Sequence, residues 1–227
     1  MWQGKKKALT FSYDDGVTQD RRLVEIFNRY GLKGTFNLNS GLMSEEKGFT
    51  ENQRQMWIYH INEADVPAVY DGHEVAVHTC THPALTLLSD EQLKEEIEAD
   101  KAALERITGK DVVGMAYPYG EFDERVCAAV KAAGLAYSRT VVSSYDFALP
   151  KTPLTWAHTC HHNDERLFEL AERFLATEAE EPQLFTVWGH SYEFDVNDNW
   201  DRIERFCALL AGRDDIFYAT NREALGI

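Results

Sequence analysis

The chain has 227 residues, 44% of them hydrophobic and 27% charged, which is the composition of an ordinary globular protein long enough to bury a core without disulfides or a structural metal. A formal net charge of −15 argues against nucleic-acid partners, because phosphate contacts need clustered lysine and arginine. No stretch approaches the roughly 18 apolar residues of a membrane span, so no membrane partner is expected, and the length fits one domain over residues 1–227.

Cys80, Cys127, Cys160 and Cys207 are widely spaced and form no C-x-x-C pair, which fits free thiols in a reducing compartment. An even number of cysteines also permits two disulfides. Met1 to Lys7 is basic but has no apolar run of signal-peptide length behind it, so a cytoplasmic location is expected unless a leader was trimmed.

Strand-like and helix-like segments alternate along the chain. Ala8 to Tyr13 reads as a strand and Arg21 to Tyr30 as a helix with Leu23, Ile26 and Phe27 on one face, ended by Gly31. Thr35 to Leu38 is a second strand. Within residues 41–70, Met56 to Tyr59 is taken as helical. Glu74 to Val77 is the next strand. Ser89 and Gln92 then form a capping pattern that opens a helix ending at Gly109. Val112 to Tyr117 is strand-like, Asp123 to Ala133 helical, and Leu135 to Val142 strand-like. Asp164 to Ala176 is a helix, Leu184 to Trp188 a strand, Asn199 to Leu210 a helix, and Ile216 to Ala219 a last strand. Seven or eight β-then-α units predict an α/β fold with a parallel sheet closed by helices, as a barrel or an open doubly wound sheet. No glycine-rich dinucleotide fingerprint follows the first strand, which removes the main reason to prefer a Rossmann fold.

In a barrel, chemistry gathers at the C-terminal ends of strands. Four such ends carry reactive side chains: Asp14 and Asp15 after the first strand, His78 after 75–77, Tyr119 after 112–117, and His190 after 184–188. Asp14-Asp15-Gly16 alone could be a plain surface turn. His78 and His82 are four residues apart, a spacing that brings two imidazoles onto one face of a helical turn. Two unrelated loop histidines would look the same. Adding a carboxylate from another strand end gives two nitrogens and one oxygen, the ligand count of a catalytic zinc site with one position open. Cys80, between the histidines, is read as a small buried residue.

The Asp-Asp-Gly after a first strand, the His78-Thr79-x-x-His82 segment, the Tyr117-Pro118-Tyr119-Gly120 turn and the late strand ending in His190 together resemble the polysaccharide deacetylase (NodB-homology) family, from about Ala8 to His190. The resemblance implies a distorted (β/α) barrel of seven or eight strands. It also implies a divalent metal, usually zinc, that promotes hydrolysis of an N-acetyl amide on a sugar. Cobalt, nickel and iron accept the same ligands. Carried over by position, Asp15, His78 and His82 are the metal ligands, and Asp14 is the base that deprotonates the attacking water. His190 is the acid that protonates the leaving amine. Tyr119 offers its backbone N–H to the developing oxyanion, a contact worth ~3–4 kcal/mol of barrier.

The chain also departs from the family pattern. Met115 and Ala116 stand where the family carries an arginine that orients the base. Arg139 is the candidate replacement, a structural ion pair being the alternative. The family's late aspartate, which holds the acid histidine, has no clear counterpart; Asp195 and Asp146 are the candidates. His161, with His162, either lines the pocket or belongs to a plain loop. Trp188 and Tyr192 offer an aromatic floor for a sugar ring, or pack in the core. The expected partner is an N-acylated sugar or another small amide, with a carbohydrate-binding pseudoenzyme as the reading from a different class. Oligomeric state is not legible.

Overall fold

The computed structural model describes residues 2–46, 48–51 and 56–227; Met1, where the basic N-terminal segment starts, lies outside them. In chain order the elements are β1 (Lys7–Asp14), α1 (Asp20–Tyr30), β2 (Thr35–Leu38), β3 (Gly48–Glu51), β4 (Met56–Tyr59), α2 (Val66–Val69), β5 (Glu74–Val77) and α3 (Asp90–Thr108). They continue as β6 (Gly114–Ala116), α4 (Glu124–Ala132), β7 (Tyr137–Ser143), β8 (Trp156–His158), β9 (Cys160–His161) and α5 (Leu167–Ala176). β10 (Gln183–Gly189), α6 (Glu193–Val196), α7 (Trp200–Leu210), β11 (Ile216–Tyr218) and α8 (Asn221–Leu225) complete the chain.

The main sheet runs β8-β7-β6-β5-β2-β1-β10-β9, every pair parallel, and β11 joins the start of β1. Its two ends are one piece of chain. Residues 156–158 pair with β7 and residues 160–161 pair with β10, so a single extended segment bends at Thr159 from one edge of the sheet to the other. Thr159 donates its N–H to Thr186 O at 3.0 Å. This closure makes the α/β fold a distorted barrel of seven or eight strands, according to whether 156–161 counts once or twice, and decides against the open sheet.

β1 shows how sequence sets the two faces. Its alternate residues Leu9, Phe11 and Tyr13 face the helices, where Phe11 meets Phe27 of α1 at 4.5 Å and Phe206 of α7 at 6.1 Å. Each such ring contributes ~1.5–3 kcal/mol by leaving water. The intervening Thr10, Ser12 and Asp14 face the barrel interior, where burial requires each to find a hydrogen-bond partner. At the N-terminal mouth α8 supplies the partners. Thr10 Oγ1 bonds Asn221 Oδ1 at 2.9 Å, and Asn221 N donates to Thr35 Oγ1 at 2.8 Å. Glu74 collects Thr35, Tyr137 and the Arg222 N–H. That end is plugged, and the C-terminal end is left for chemistry.

Helix boundaries follow their capping chemistry. Ser89 and Gln92 make the reciprocal capping box of α3, and Gly31 and Gly109 end α1 and α3 in the left-handed conformation. One expectation fails: Met56 to Tyr59 is not helical but strand β4, paired antiparallel with β3. Ile58 is buried while Trp57 and Tyr59 are exposed, the period-two alternation of a strand, in a stretch too short for a helical period to declare itself. The predicted 112–117 strand contracts to Gly114–Ala116. All four cysteines are free thiols. No helix among the described residues is long and apolar enough to cross a membrane.

Candidate active site

At the end of β1 two adjacent carboxylates are sent in different directions. Asp14 is still in the strand and points inward, 2% exposed. It accepts Asn37 Nδ2 at 2.9 Å and the Arg139 guanidinium, whose Nε bonds Ser12 Oγ at 2.9 Å. Arg139 is itself fully buried on β7, with the Trp188 ring centroid 5.0 Å from its guanidinium carbon. Burial lowers its pKa to about 9, which leaves it cationic at neutral pH. Asp15 breaks from the strand with φ +77° and Gly16 follows at +62°. A side chain at Gly16 would also press on Leu38 Cδ2, at 2.8 Å. The Asp-Gly pair is therefore a turn, and its product is an Asp15 carboxylate facing away from Asp14's partners.

Asp15 Oδ1 lies 3.5 Å from His78 Nε2 and 3.6 Å from His82 Nε2. The two imidazoles do not sit on a helical turn as expected. Thr79 and His82 have φ of +70° and +59°, and the loop is pinned from outside. Asn39 Nδ2 donates to the His78 and Thr79 carbonyls, Asp100 Oδ2 accepts the His78 N–H, and Thr81 bonds Glu96. Cys80 is half-exposed rather than buried, beside Ser40 Oγ at 3.8 Å. His78 Nδ1 bonds the Ala116 carbonyl at 2.8 Å, so it carries the proton, and the Nε2 lone pair faces Asp15. Burial lowers the His78 pKa to about 3, and His82 is likewise lowered by burial. Burial pushes Asp15 up, but His190, His78 and His82 outweigh it and leave its pKa lowered.

His190 completes the cluster from the end of β10. Its Nε2 stands 3.9 Å from Asp14 Oδ2 and 4.0 Å from Asp15 Oδ2, and its Nδ1 bonds Glu193 Oε1 at 2.8 Å. Burial alone would lower the His190 pKa; the Glu193 bond and the Asp15 charge reverse that and raise it. Glu193 is the group that holds the histidine, in place of either expected aspartate. Asp195 instead binds Gln19 and Trp200, and Asp146 caps the Ala148 N–H. Glu193 Oε2 faces Asn163 Nδ2 at 2.9 Å, His162 Nε2 at 3.0 Å and His161 Nε2 at 3.3 Å. Burial opposes its ionisation, but the neighbouring imidazoles of His161, His162 and His190 hold its pKa far below the usual carboxylate range.

Around these groups lies a cavity of about 910 Å³, whose lining includes Phe49, Tyr119, Val141, Trp188 and Tyr192. Tyr119 is 63% exposed, with φ +58° in the Pro118–Gly120 turn, and its ring packs edge-on to His82 at 4.6 Å. Trp188 is only 9% exposed, wedged between Arg139, His158 and His190, so it is mostly core. Tyr192 stands beside His190 at 5.3 Å. His161 is not among the lining residues: its ring packs on Trp188 and its Nε2 is directed to Glu193. Glu193, Asn37 and Phe49 are among the site residues that the sequence reading missed, with Asn39, Leu42, His60 and Val141. The three-residue spacing from His190 to Glu193 was the one usable signal.

Residues 3–138 match the family model described as polysaccharide deacetylase. Chitin deacetylase 1 of Cryptococcus neoformans var. grubii is 34% identical over 131 residues, covering 57% of this chain and 25% of the relative. The chain spans between 25% and 32% of the length of the curated relatives it matches. Among solved structures, a family 4 acetyl xylan esterase from Clostridium thermocellum, in complex with a cobalt ion, superposes with a TM-score of 0.64. It is 14% identical, and the match covers 97% of this chain and 91% of that one. A CE4 family pseudoenzyme from Bacillus anthracis gives a TM-score of 0.58 at 16% identity, covering 97% and 66%. At such identities these likenesses speak for the fold.

Proposed function

The chain belongs to the polysaccharide deacetylase family, and on that premise we propose that it hydrolyses the amide of an N-acylated carbohydrate, releasing the acyl group, most simply acetate, and a free amine. The observation that carries this reading is the division of labour between Asp14 and Asp15. One carboxylate is anchored by Arg139 and Asn37, and the other faces two imidazoles.

Asp15, His78 and His82 fit a divalent ion, zinc being the first choice, because one carboxylate oxygen and a backbone-anchored imidazole with an inward lone pair converge there. When bound, the ion supplies Lewis acidity that polarises the acyl carbonyl and acidifies water. The remaining steps belong to the chain. Asp14 accepts the proton of the attacking water, and Arg139 acts as a positioning residue, bonding the carboxylate directly while Asn37 and Ser12 brace the pair. The backbone N–H of Tyr119, in its left-handed turn, is assigned to the oxyanion. His190 donates a proton from Nε2 to the leaving nitrogen, while Glu193 holds Nδ1–H and stabilises the imidazolium. Tyr192 borders the cleft where the sugar would lie, and Trp188 supports Arg139 and His190 from below.

The test is turnover of acetylated chitooligosaccharides by zinc-loaded protein and by Asp14→Asn. We expect kcat to fall about 10³-fold with metal content unchanged. Equal turnover in the variant removes Asp14 from its role. Turnover of small amides alone favours a different C–N substrate, and sugar binding without turnover by wild type favours a pseudoenzyme.

A further inference from the structure

His190 and the carboxylates it faces arrive on different loops, His190 after β10 and Asp14 and Asp15 at the end of β1. Their separations of 3.9 and 4.0 Å therefore depend on what ties the two loops together. The tie is the start of α1, which the chain enters directly after the turn at Asp15 and Gly16. Gln19 Nε2 donates to Asp195 Oδ2 at 3.0 Å, and the Arg22 guanidinium carbon stands 4.4 Å from the Trp200 ring centroid. Between them the fully buried Asp20 accepts the Ser191 hydroxyl on Oδ1 at 2.5 Å and the Tyr70 hydroxyl on Oδ2 at 2.7 Å.

Ser191 stands inside the turn that closes His190 on its holder. Glu193 N donates to His190 O at 3.0 Å and Phe194 N to Ser191 O at 3.2 Å, which returns the Glu193 carboxylate to His190 Nδ1 at 2.8 Å. Ser191 is buried, so its hydroxyl needs a partner, and Asp20 is that partner. A buried carboxyl is a costly way to make a contact that packing alone could supply. Burial raises the Asp20 pKa to about 7, against the Ser191 and Tyr70 bonds that lower it. What its two oxygens add is direction. One sets the place of Ser191, while Tyr70, packed on Phe36 at 4.7 Å, fixes the carboxyl from the other side.

We propose that Asp20 is a positioning residue for the acid: through Ser191 it sets the turn that holds His190 on Glu193 and at its distance from Asp14 and Asp15. The inference rests on the hydrolase reading for what His190 does, and the position itself is measurable without turnover.

The experiment compares Asp20→Ala, Asp20→Asn, Ser191→Ala and Tyr70→Phe in the zinc-loaded full chain, each with two substrates and one proton spectrum. N-acetyl chitooligosaccharides lose an amine that must be protonated as the C–N bond breaks, whereas 4-nitrophenyl acetate loses a phenolate that needs no proton. Asp20→Ala and Ser191→Ala should lower amide kcat about 10- to 100-fold at unchanged KM and leave ester kcat within about twofold. Asp20→Asn, whose amide can accept one hydroxyl and donate to the other, should keep amide kcat within about threefold of wild type. Tyr70→Phe removes a bond of the same kind from the far oxygen and should move the amide-to-ester ratio by less than about threefold. In the spectrum the His190 Nδ1–H, assigned by its loss in His190→Gln, should appear downfield in wild type, Asp20→Asn and Tyr70→Phe. It should broaden by exchange in Asp20→Ala and in Ser191→Ala, and Ser191→Ala carries the test where Asp20→Ala does not fold. A resonance left sharp in Ser191→Ala, or missing from wild type, overturns the proposal. So do equal losses of amide and ester turnover, or a ratio moved as far by Tyr70→Phe as by Ser191→Ala, because either reduces Asp20 to a stabilising contact. The expected resonances without hydrolysis by wild type sustain the positioning and remove the hydrolase reading; hydrolysis with the Nδ1–H unmoved in Ser191→Ala does the reverse.

Discussion

The molecule contains two clusters in which imidazoles surround a carboxylate, and they turn their ring nitrogens in opposite ways. In the first, His78 anchors Nδ1–H on the Ala116 carbonyl and turns a lone pair toward Asp15. In the second, His161 Nδ1 accepts the Asn163 N–H at 3.1 Å, so its proton sits on Nε2 and faces Glu193. His190 likewise directs Nδ1 at Glu193, and Asn163 adds an amide N–H. The first carboxylate looks into lone pairs and has room for a cation. The second is filled with protons already. Residue type does not distinguish the clusters; the partner of the other ring nitrogen does.

The difference can be tested by disturbing what holds each carboxylate. Arg139→Met removes the cation from a pair that is buried on both sides, leaving Asp14 charged and unpaired. Chemical denaturation should show a loss of roughly 3–5 kcal/mol, and kcat should collapse with it. An unchanged midpoint would mean that the pair contributes nothing to the fold. Glu193→Gln keeps the shape of the second cluster but removes its charge. We expect kcat to drop about 10- to 100-fold with KM and zinc content unchanged, because Glu193 bonds His190 and, on the proposed reading, takes no part in holding the ion. Loss of zinc in that variant would merge the two clusters into one.

His73 provides a control, a buried imidazole with no carboxylate bonded to it. Its Nδ1 accepts the Gly34 N–H and its Nε2 faces Asn28 Oδ1, both at 3.1 Å. Burial lowers its pKa to about 4, below the 6.5 of the unfolded chain. The unfolded state therefore binds the extra proton first. The stabilisation from neutral His73 is full above pH 6.5 and is lost as pH falls toward 4, amounting to roughly 2 kcal/mol by pH 5. His73→Gln should flatten that part of the stability profile, read as melting temperature against pH; an unaltered slope would place the acid sensitivity elsewhere.

Much of this was legible in the chain because the signals were local. The alternation of β1, the Ser89–Gln92 box and the terminal glycines of α1 and α3 each declare an element within a few residues. Asp14, Asp15, His78 and His190 could be placed at strand ends for the same reason, and Arg139, one of two readings of which was a partner for the base, lies on Asp14. What escaped is long-range or conformational. The closure by residues 156–161 depends on one segment reaching two edges, and no periodicity encodes that. The 78–82 loop relies on positive φ at Thr79 and His82, which are not glycines. His161 was left open between the cleft and a plain loop, because a strand residue has two faces, and only the Asn163 and Glu193 contacts show which way it turns. The β3–β4 hairpin was missed because Met56 to Tyr59 is too short to reveal its period.

The most direct test of the central claim is zinc content after incubation with excess ion and dialysis, measured on untagged wild type, the His78→Ala/His82→Ala double variant and His161→Ala. The account predicts about one ion per chain in wild type, none in the double variant and about one in His161→Ala. An ion that survives loss of His78 and His82, or one that leaves with His161, would contradict the assignment of metal to the first cluster and protons to the second.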